Sequence, residues 1–146
     1  MAAEPMVILL AEDDEGHALL VKRNLARSGI ADTVMHVTNG QEALDFVRRE
    51  GKYAIRAAGA PLLLVLDINM PCLDGVQVLQ QIKADEKTAT TPVIMLTTTD
   101  DPREIERCYE NGCSVYITKP VEYDKFAEAV KRLGLFLQIM QVPMEN

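Results

Sequence analysis

The sequence predicts an α/β fold in which five parallel strands form a doubly wound sheet with helices on both faces. Short apolar runs alternate with amphipathic segments of helical period along the chain. The run at 62–66, Leu-Leu-Leu-Val-Leu, is apolar at every position, which is typical of a strand covered on both faces. Strands that alternate with helices indicate parallel pairing through right-handed crossovers.

Each element is predicted from its local pattern, in chain order. Gly29 ends the first helix, because glycine readily takes the left-handed conformation found at helix ends. Asn39 and Glu42 have the spacing of a capping box, and Asp101 with Pro102 is typical of a helix start. The predicted strands are 6–10, 33–37, 62–66, 93–96 and 115–118. The predicted helices are 15–28, 40–50, 75–85, 102–111 and 122–133.

Polar residues follow four of the five strands. Glu12 and Asp13 follow the first strand, Asp67 the third, Thr97 the fourth and Lys119 the fifth. About five strand–helix units give a flavodoxin-like topology, in which ligands bind at the carboxyl ends of the strands where the strand order reverses. We therefore expect these five side chains to meet at one edge of the sheet.

Carboxylates that meet at one edge need a counter-charge. Two unit charges about 4 Å apart interact by about 4 kcal/mol at an effective dielectric constant of 20. Mg²⁺ suits such a site because it is a hard ion that takes carboxylates, carbonyls and water. It would also hold a phosphoryl group while one carboxylate acts as nucleophile, with Lys119 and Thr97 as donors to phosphoryl oxygens. A cis bond between Lys119 and Pro120 would aim the lysine inward. Without metal, one carboxylate is expected to have a raised pKa because of its like-charged neighbours.

Composition excludes several classes of partner. The 146 residues form one predicted domain, 1–146, with a net charge of −7 that argues against nucleic acid and anionic membrane. No apolar run reaches the roughly 18 residues of a membrane span, and no signal peptide is evident, so the expected location is cytoplasmic. The three cysteines have no metal-binding spacing and are expected to be reduced thiols.

Four stretches carry a family resemblance. They are Leu-Ala-Glu-Asp-Asp at 10–14, Asp-Ile-Asn-Met-Pro-Cys-Leu-Asp-Gly at 67–75, Met-Leu-Thr-Thr at 95–98 and Tyr-Ile-Thr-Lys-Pro at 116–120. Their order and spacing resemble the receiver domain of two-component response regulators, over about residues 6–133. The joint match of four motifs is far more specific than a single acidic pair.

The resemblance implies a metal site and a phosphoacceptor. Asp67 would accept the phosphoryl group and contact the metal. Glu12 and Asp13 would bind Mg²⁺, and the backbone carbonyl of Asn69 would complete the protein ligands. Asp14 is not expected to be a ligand. Glu12 stands where Asp is commoner in the family.

The resemblance also implies a switch. Thr97 would turn towards the phosphoryl group, Lys119 would pair with it, and Tyr116 would change rotamer together with Thr97. On sequence alone Tyr116 is also compatible with simple packing at a strand end. Thr98 stands where a small alanine is usual, which would alter access to the site or dephosphorylation.

A narrower resemblance is to the small response regulators paired with cyanobacterial phytochromes. It is carried by the long connection at 51–61, the stretch 108–120 and the apolar tail after residue 133. The phosphodonor would then be a light-regulated histidine kinase. The tail, 134–146, either extends the last helix and packs on its own core or forms an interface, and the prediction is a homodimer through the last helix and tail.

The predicted function is a stand-alone receiver that is not an enzyme and acts by protein contact. One alternative is a phosphatase with an aspartyl nucleophile, although such enzymes usually carry a second Asp where this chain has Asn69. Another is a receiver-like binding module that no longer takes phosphate, against which Asp67 and Lys119 argue. His17 and His36 lack ligand spacing and are expected to carry no chemistry.

Overall fold

The chain alternates strand and helix throughout, as the sequence predicts. The computed structural model describes residues 6–27, 31–57, 59–120 and 122–145, so the predicted helix end at Gly29 lies outside the described residues. The strands are β1 (Met6–Ala11), β2 (Ala31–Val37), β3 (Leu62–Leu66), β4 (Val93–Thr97) and β5 (Val115–Thr118). The helices are α1 (Glu15–Arg27), α2 (Gly40–Arg48), α3 (Gly75–Ala84), α4 (Pro102–Glu110) and α5 (Tyr123–Leu137).

The strands form one parallel sheet in the order β2-β1-β3-β4-β5. The order reverses between β1 and β3, so these two strands flank the expected ligand edge. The doubly wound fold is confirmed, and the main difference in boundaries is that α5 continues four residues beyond 133 to Leu137.

Two apolar layers enclose the sheet because its residues alternate between the faces. In β3, Leu64 and Leu66 pack with α2, α3 and α4, whereas Leu63 and Val65 pack with α1 and α5. All five residues of β3 are buried. None of the helices in the described part of the chain is both long and apolar enough to cross a membrane.

The start of α3 lies directly against the end of β3. Asp74 accepts from the Gln77 N–H while the Gln77 side chain accepts from the Asp74 N–H, which completes a capping box. A Cβ atom on Gly75 would lie 2.2 Å from the Asp67 carbonyl oxygen. Glycine is therefore required at position 75 for this close approach, and the approach fixes the backbone of Asp67.

The tail after α5 divides into a packed part and an exposed part. Leu137 and Met140 pack on the α1/α5 layer, whereas Leu135, Phe136 and Ile139 are exposed. The packed part agrees with the expectation that the tail extends the last helix onto its own core, and the interface remains a prediction.

The end of the tail is fixed at the amino end of β3. Met144 pairs with Pro61, and the Arg56 guanidinium donates two hydrogen bonds, of 2.8 and 2.7 Å, to the Glu145 carboxylate. Arg56 also donates to the Phe46 carbonyl and lies 4.2 Å from the centre of the Phe46 ring. We call this set the tail clamp, consisting of Phe46, Arg56, Pro61, Met144 and Glu145. It lies at the edge of the sheet opposite the predicted site.

Candidate functional site

The polar residues predicted to converge do converge, at the carboxyl ends of β1, β3, β4 and β5. Glu12, Asp67, Thr97 and Lys119 are all at least 93% buried, whereas Asp13 is exposed. Charged side chains are rarely buried unless they are paired. Their burial together at the reversal of strand order marks this edge as the candidate site.

The Lys119 ammonium lies at the centre of the site. It donates to Glu12 Oε1 and, over 3.1 Å, to Asp67 Oδ2, and it lies 3.3 Å from His17 Nδ1. The Lys119 N–H donates to the Thr97 carbonyl, which ties the end of β5 to β4. The described residues contain no cis peptide bond, so the Lys119–Pro120 bond is trans and the expected cis bond is wrong.

Three carboxylates can share a cation here. Glu12, Asp13 and Asp67 each offer an oxygen atom, and these three atoms lie within 4.8 Å of one another. Asn69 adjoins the cluster, with its N–H 3.4 Å from Asp67 Oδ1. Oxygen donors in this number and charge fit a hard divalent ion. The ligand role of the Asn69 carbonyl remains a prediction.

The buried acids have opposite pKa shifts. Burial, reinforced by a hydrogen bond with Asp67, raises the pKa of Glu12 to about 8 against the opposing effect of Lys119. Burial also acts to raise the pKa of Asp67, but a hydrogen bond from Glu12, the nearby Thr97 hydroxyl and the charge of Lys119 outweigh it and lower the pKa. Glu12 thus has the raised pKa expected of one carboxylate, but burial raises this pKa more than the negative charge of Asp67 does. Near neutral pH a proton on Glu12 relieves the repulsion that a bound cation would otherwise cancel.

The Thr97 hydroxyl is buried without a hydrogen-bond partner among the described residues. Leaving a buried donor unsatisfied costs about 1–3 kcal/mol. The hydroxyl is nevertheless close enough to Asp67 to help lower the pKa of that carboxyl. A group added to Asp67 with free oxygen atoms would supply the missing acceptor.

Tyr116 occupies the neighbouring strand, with its ring half-buried. Its hydroxyl donates to the Thr99 carbonyl over 2.6 Å, and its N–H donates to the Tyr109 hydroxyl over 3.0 Å. Burial raises the pKa of Tyr116 to about 12, so the phenol stays protonated and remains a donor. Tyr116 is therefore anchored to the loop that follows Thr97.

Two histidines at the site were not expected from the sequence. His36 donates to the Glu12 carbonyl over 2.7 Å and so holds the acidic loop from β2. His17 lies beside Lys119 and stacks on Phe126. Neither histidine has the spacing of a ligand motif. For His36 the topology does offer a signal, because His36 pairs with Leu10 in the β1–β2 register and so lies near the end of β1.

The comparisons with known proteins agree with this geometry. Residues 8–131 match the family model described as the response regulator receiver domain. The solved receiver domain from Rhodospirillum rubrum is 44% identical and has a TM-score of 0.87. The match covers 96% of this chain and 99% of that chain. The chain belongs to the response regulator receiver domain family.

Two further relatives are similar to the chain at lower identity. The phosphorylated cyanobacterial phytochrome response regulator RcpA is 32% identical with a TM-score of 0.87, over 97% of this chain and 99% of that structure. Response regulator Rcp1 from Synechocystis is 34% identical over 79% of this chain and 77% of its own sequence. Its Mn²⁺-bound structure has a TM-score of 0.87, at 30% identity over 95% of this chain and 99% of that chain. Receiver domains are signalling domains that bind Mg²⁺ or Mn²⁺ at an acidic pocket, and the described residues contain such a pocket.

Proposed function

We propose that this chain is a phosphorylation switch in which Asp67 accepts a phosphoryl group from a phosphohistidine of a sensor kinase. The observation that carries the proposal is the position of the Asp67 carboxylate, 3.1 Å from the buried Lys119 ammonium and beside the unpartnered Thr97 hydroxyl. Together they offer a nucleophile, a positive charge and a free donor at one point. The family membership supports the same assignment.

Asp67 is suited to act as the nucleophile. Its lowered pKa keeps the carboxylate ionised at neutral pH. A bond then forms between an Asp67 oxygen and phosphorus as the bond between phosphorus and the histidine nitrogen of the kinase breaks. Lys119 donates to a phosphoryl oxygen and stabilises the charge that is transferred.

Glu12, Asp13, Asp67 and the Asn69 carbonyl would hold Mg²⁺ in this proposal. When bound, the ion would neutralise charge on the phosphoryl oxygens. His36 keeps the Glu12 backbone in place, and the start of α3 at Gly75 keeps the Asp67 backbone in place. The donor set is thus built on rigid elements rather than on a free loop.

Phosphorylation would be transmitted through Thr97 and Tyr116. The phosphoryl group carries a charge of about −1.5 to −2 at pH 7, and it gives the Thr97 hydroxyl an acceptor. As Thr97 turns towards it, the Tyr116 ring moves into the space beside Thr97 and gives up its bond to the Thr99 carbonyl. The surface formed by α4, β5 and α5 changes shape, and the output is protein contact without catalytic turnover.

A phytochrome-type histidine kinase is the proposed phosphodonor. Rcp1, RcpA and the bacteriophytochrome response regulator RtBRR are among the similar structures, and RtBRR is 31% identical with a TM-score of 0.72. We further propose that the exposed side chains Leu135, Phe136 and Ile139 pair with those of a second copy in a homodimer.

The test uses acetyl phosphate as a small phosphodonor in the presence of Mg²⁺. Intact mass should show one added phosphoryl group on the wild type and none on Asp67→Asn. Glu86→Gln is the matched control, because Glu86 is an exposed acid in the connection between α3 and β4, outside the cluster, and this variant should be labelled like the wild type. An unlabelled wild type would contradict the proposal and favour a binding module, and sustained hydrolysis of a phosphate ester would favour the phosphatase.

A further inference from the structure

His17 contacts the central lysine of the site, and the function proposed above does not use it. Its Nδ1 atom lies 3.3 Å from Lys119 Nζ at the first turn of α1. The imidazole stacks on Phe126, with ring centroids 5.1 Å apart and an angle of 23° between the ring planes. The His17 side chain is 40% exposed, whereas that of Lys119 is 1% exposed. The ring therefore lies at the rim of the site, next to a buried cation.

The contact completes the hydrogen bonding of the Lys119 ammonium. An ammonium has three N–H donors and no acceptor. Among the described residues its hydrogen-bond acceptors are Glu12 Oε1, Asp67 Oδ2 and His17 Nδ1. Because the ammonium can only donate, this contact is a hydrogen bond when Nδ1 accepts and the ring proton is on Nε2. The same Nδ1 atom lies 3.7 Å from Glu12 Oε1 and 3.9 Å from Asp14 Oδ2.

His17 differs from the other two acceptors in how it is held. Glu12 and Asp67 must change partners when a cation and a phosphoryl group bind. The His17 ring is fixed by Phe126 on α5, and its backbone N–H donates to Asp14 Oδ1 over 3.0 Å at the start of α1. Of the three acceptors, it is thus the one with no proposed role as metal ligand or phosphoacceptor.

We propose that His17 is a positioning residue for Lys119, holding the ammonium at the edge where it meets the phosphoryl group. This inference rests on the proposed function. Without the third acceptor a buried donor is unsatisfied, and the lysine turns away or admits water. Phosphoryl transfer to Asp67 then proceeds with a misplaced charge.

Two substitutions separate the acceptor from the ring. His17→Phe keeps a ring that can stack on Phe126 but has no acceptor. His17→Asn removes the ring but places a carbonyl oxygen near the position of Nδ1. The initial rate of Asp67 labelling by acetyl phosphate should fall about tenfold in His17→Phe, which corresponds to about 1.4 kcal/mol and is typical of one hydrogen bond to a charged group. His17→Asn should recover most of that rate.

A rate in His17→Phe equal to that of the wild type would overturn the inference, as would a His17→Asn variant no faster than His17→Phe. Thermal unfolding of both variants shows whether each is folded at the assay temperature.

Nitrogen-15 NMR of the wild type tests the contact between His17 Nδ1 and Lys119 Nζ without any phosphorylation. The His17 ring should be protonated at Nε2, and the Nδ1 resonance should shift in Lys119→Met. A ring protonated at Nδ1, or an Nδ1 resonance that is unchanged in Lys119→Met, would overturn the inference. If the wild type is never labelled, the proposed function fails, and the NMR result still stands on its own.

Discussion

At the scale of single residues, the buried Thr97 hydroxyl should lower the free energy of unfolding, and its proposed role is to donate to the phosphoryl group. Thr97→Val replaces it by a methyl group of nearly the same shape, so the free energy of unfolding should rise by about 1 kcal/mol. Urea unfolding measures this change. The same variant should lose the effect of phosphorylation on the α4–β5–α5 surface, because the donor to the phosphoryl group is absent.

Thr98→Val is the matched control for that prediction. The Thr98 side chain is exposed to solvent, so the substitution should not raise the free energy of unfolding. An equal gain in the two variants would show that the buried Thr97 hydroxyl carries no special cost.

The cysteines should differ in reactivity towards an aromatic disulfide reagent at pH 8. The thiolate is the reactive form, and an ordinary thiol has a pKa of about 8.5. Burial raises the pKa of Cys108 to about 11 and also raises that of Cys113, whereas Cys72 is exposed. One thiol should react rapidly in the native protein and three after denaturation, and Cys72→Ser should remove the rapid phase. A rapid phase that persists in Cys72→Ser would contradict this prediction.

At the scale of the elements, the tail clamp should contribute to stability and not to the site. Arg56→Lys loses the forked pairing with Glu145 and the flat contact on Phe46, so the free energy of unfolding should fall by about 1–2 kcal/mol. Asp67 labelling by acetyl phosphate should stay at the wild-type rate, because the clamp lies at the opposite edge of the sheet.

Arg103→Lys is the control for the clamp. Arg103 pairs with Asp101, but its side chain is 91% exposed, against 16% for Arg56. Exposed ion pairs contribute about 0–1 kcal/mol, so this variant should be close to the wild type. A loss of stability in Arg103→Lys as large as that in Arg56→Lys would refute the role assigned to the clamp.

Much of this architecture could be predicted from the sequence because its causes are local. The period of the apolar residues predicts the strands, and the capping residues Asn39 and Asp101 predict helix starts close to where they are found. Receiver motifs then placed Asp67 and Lys119 at one edge. The end of α5 was placed four residues early, although Leu133 and Leu137 continue the buried face at helical spacing.

The rest depended on distant contacts. Arg56 and Glu145 are 89 residues apart in sequence, and His17 and Lys119 are 102 apart. No local sequence pattern indicates either pair, because each contact forms only when the fold brings distant elements side by side. The raised pKa of Glu12 was expected from neighbouring charge, but its main cause is burial, which a sequence does not display.

At the scale of the whole molecule, the exposed apolar side chains of α5 and the tail should determine the oligomeric state. Phe136 and Ile139 are 43% and 75% exposed, and Phe136 borders an apolar groove between β5 and α5. Light scattering at micromolar concentration should show a dimer for the wild type and a monomer for Ile139→Lys. A wild type that is monomeric with its tail intact would contradict the proposed homodimer.

Ile55→Lys is the control for dimerisation. Ile55 is 97% exposed and belongs to the connection before β3, not to α5 or the exposed part of the tail. This variant should remain a dimer, because it changes the same residue type without touching the proposed interface.

The placement of β5 at the border of the sheet has a consequence for local opening. In the described part of the chain β5 pairs with β4 alone, and none of its four residues is fully buried. By contrast, β1 is paired on both sides and its last four residues are buried. Backbone amides of β5 should therefore exchange with deuterium well before those of β1. Because Tyr116 is in β5 and Lys119 follows it, the part of the site proposed to respond to the phosphoryl group should open at a lower free energy than the part around Asp67, which follows the fully buried strand β3.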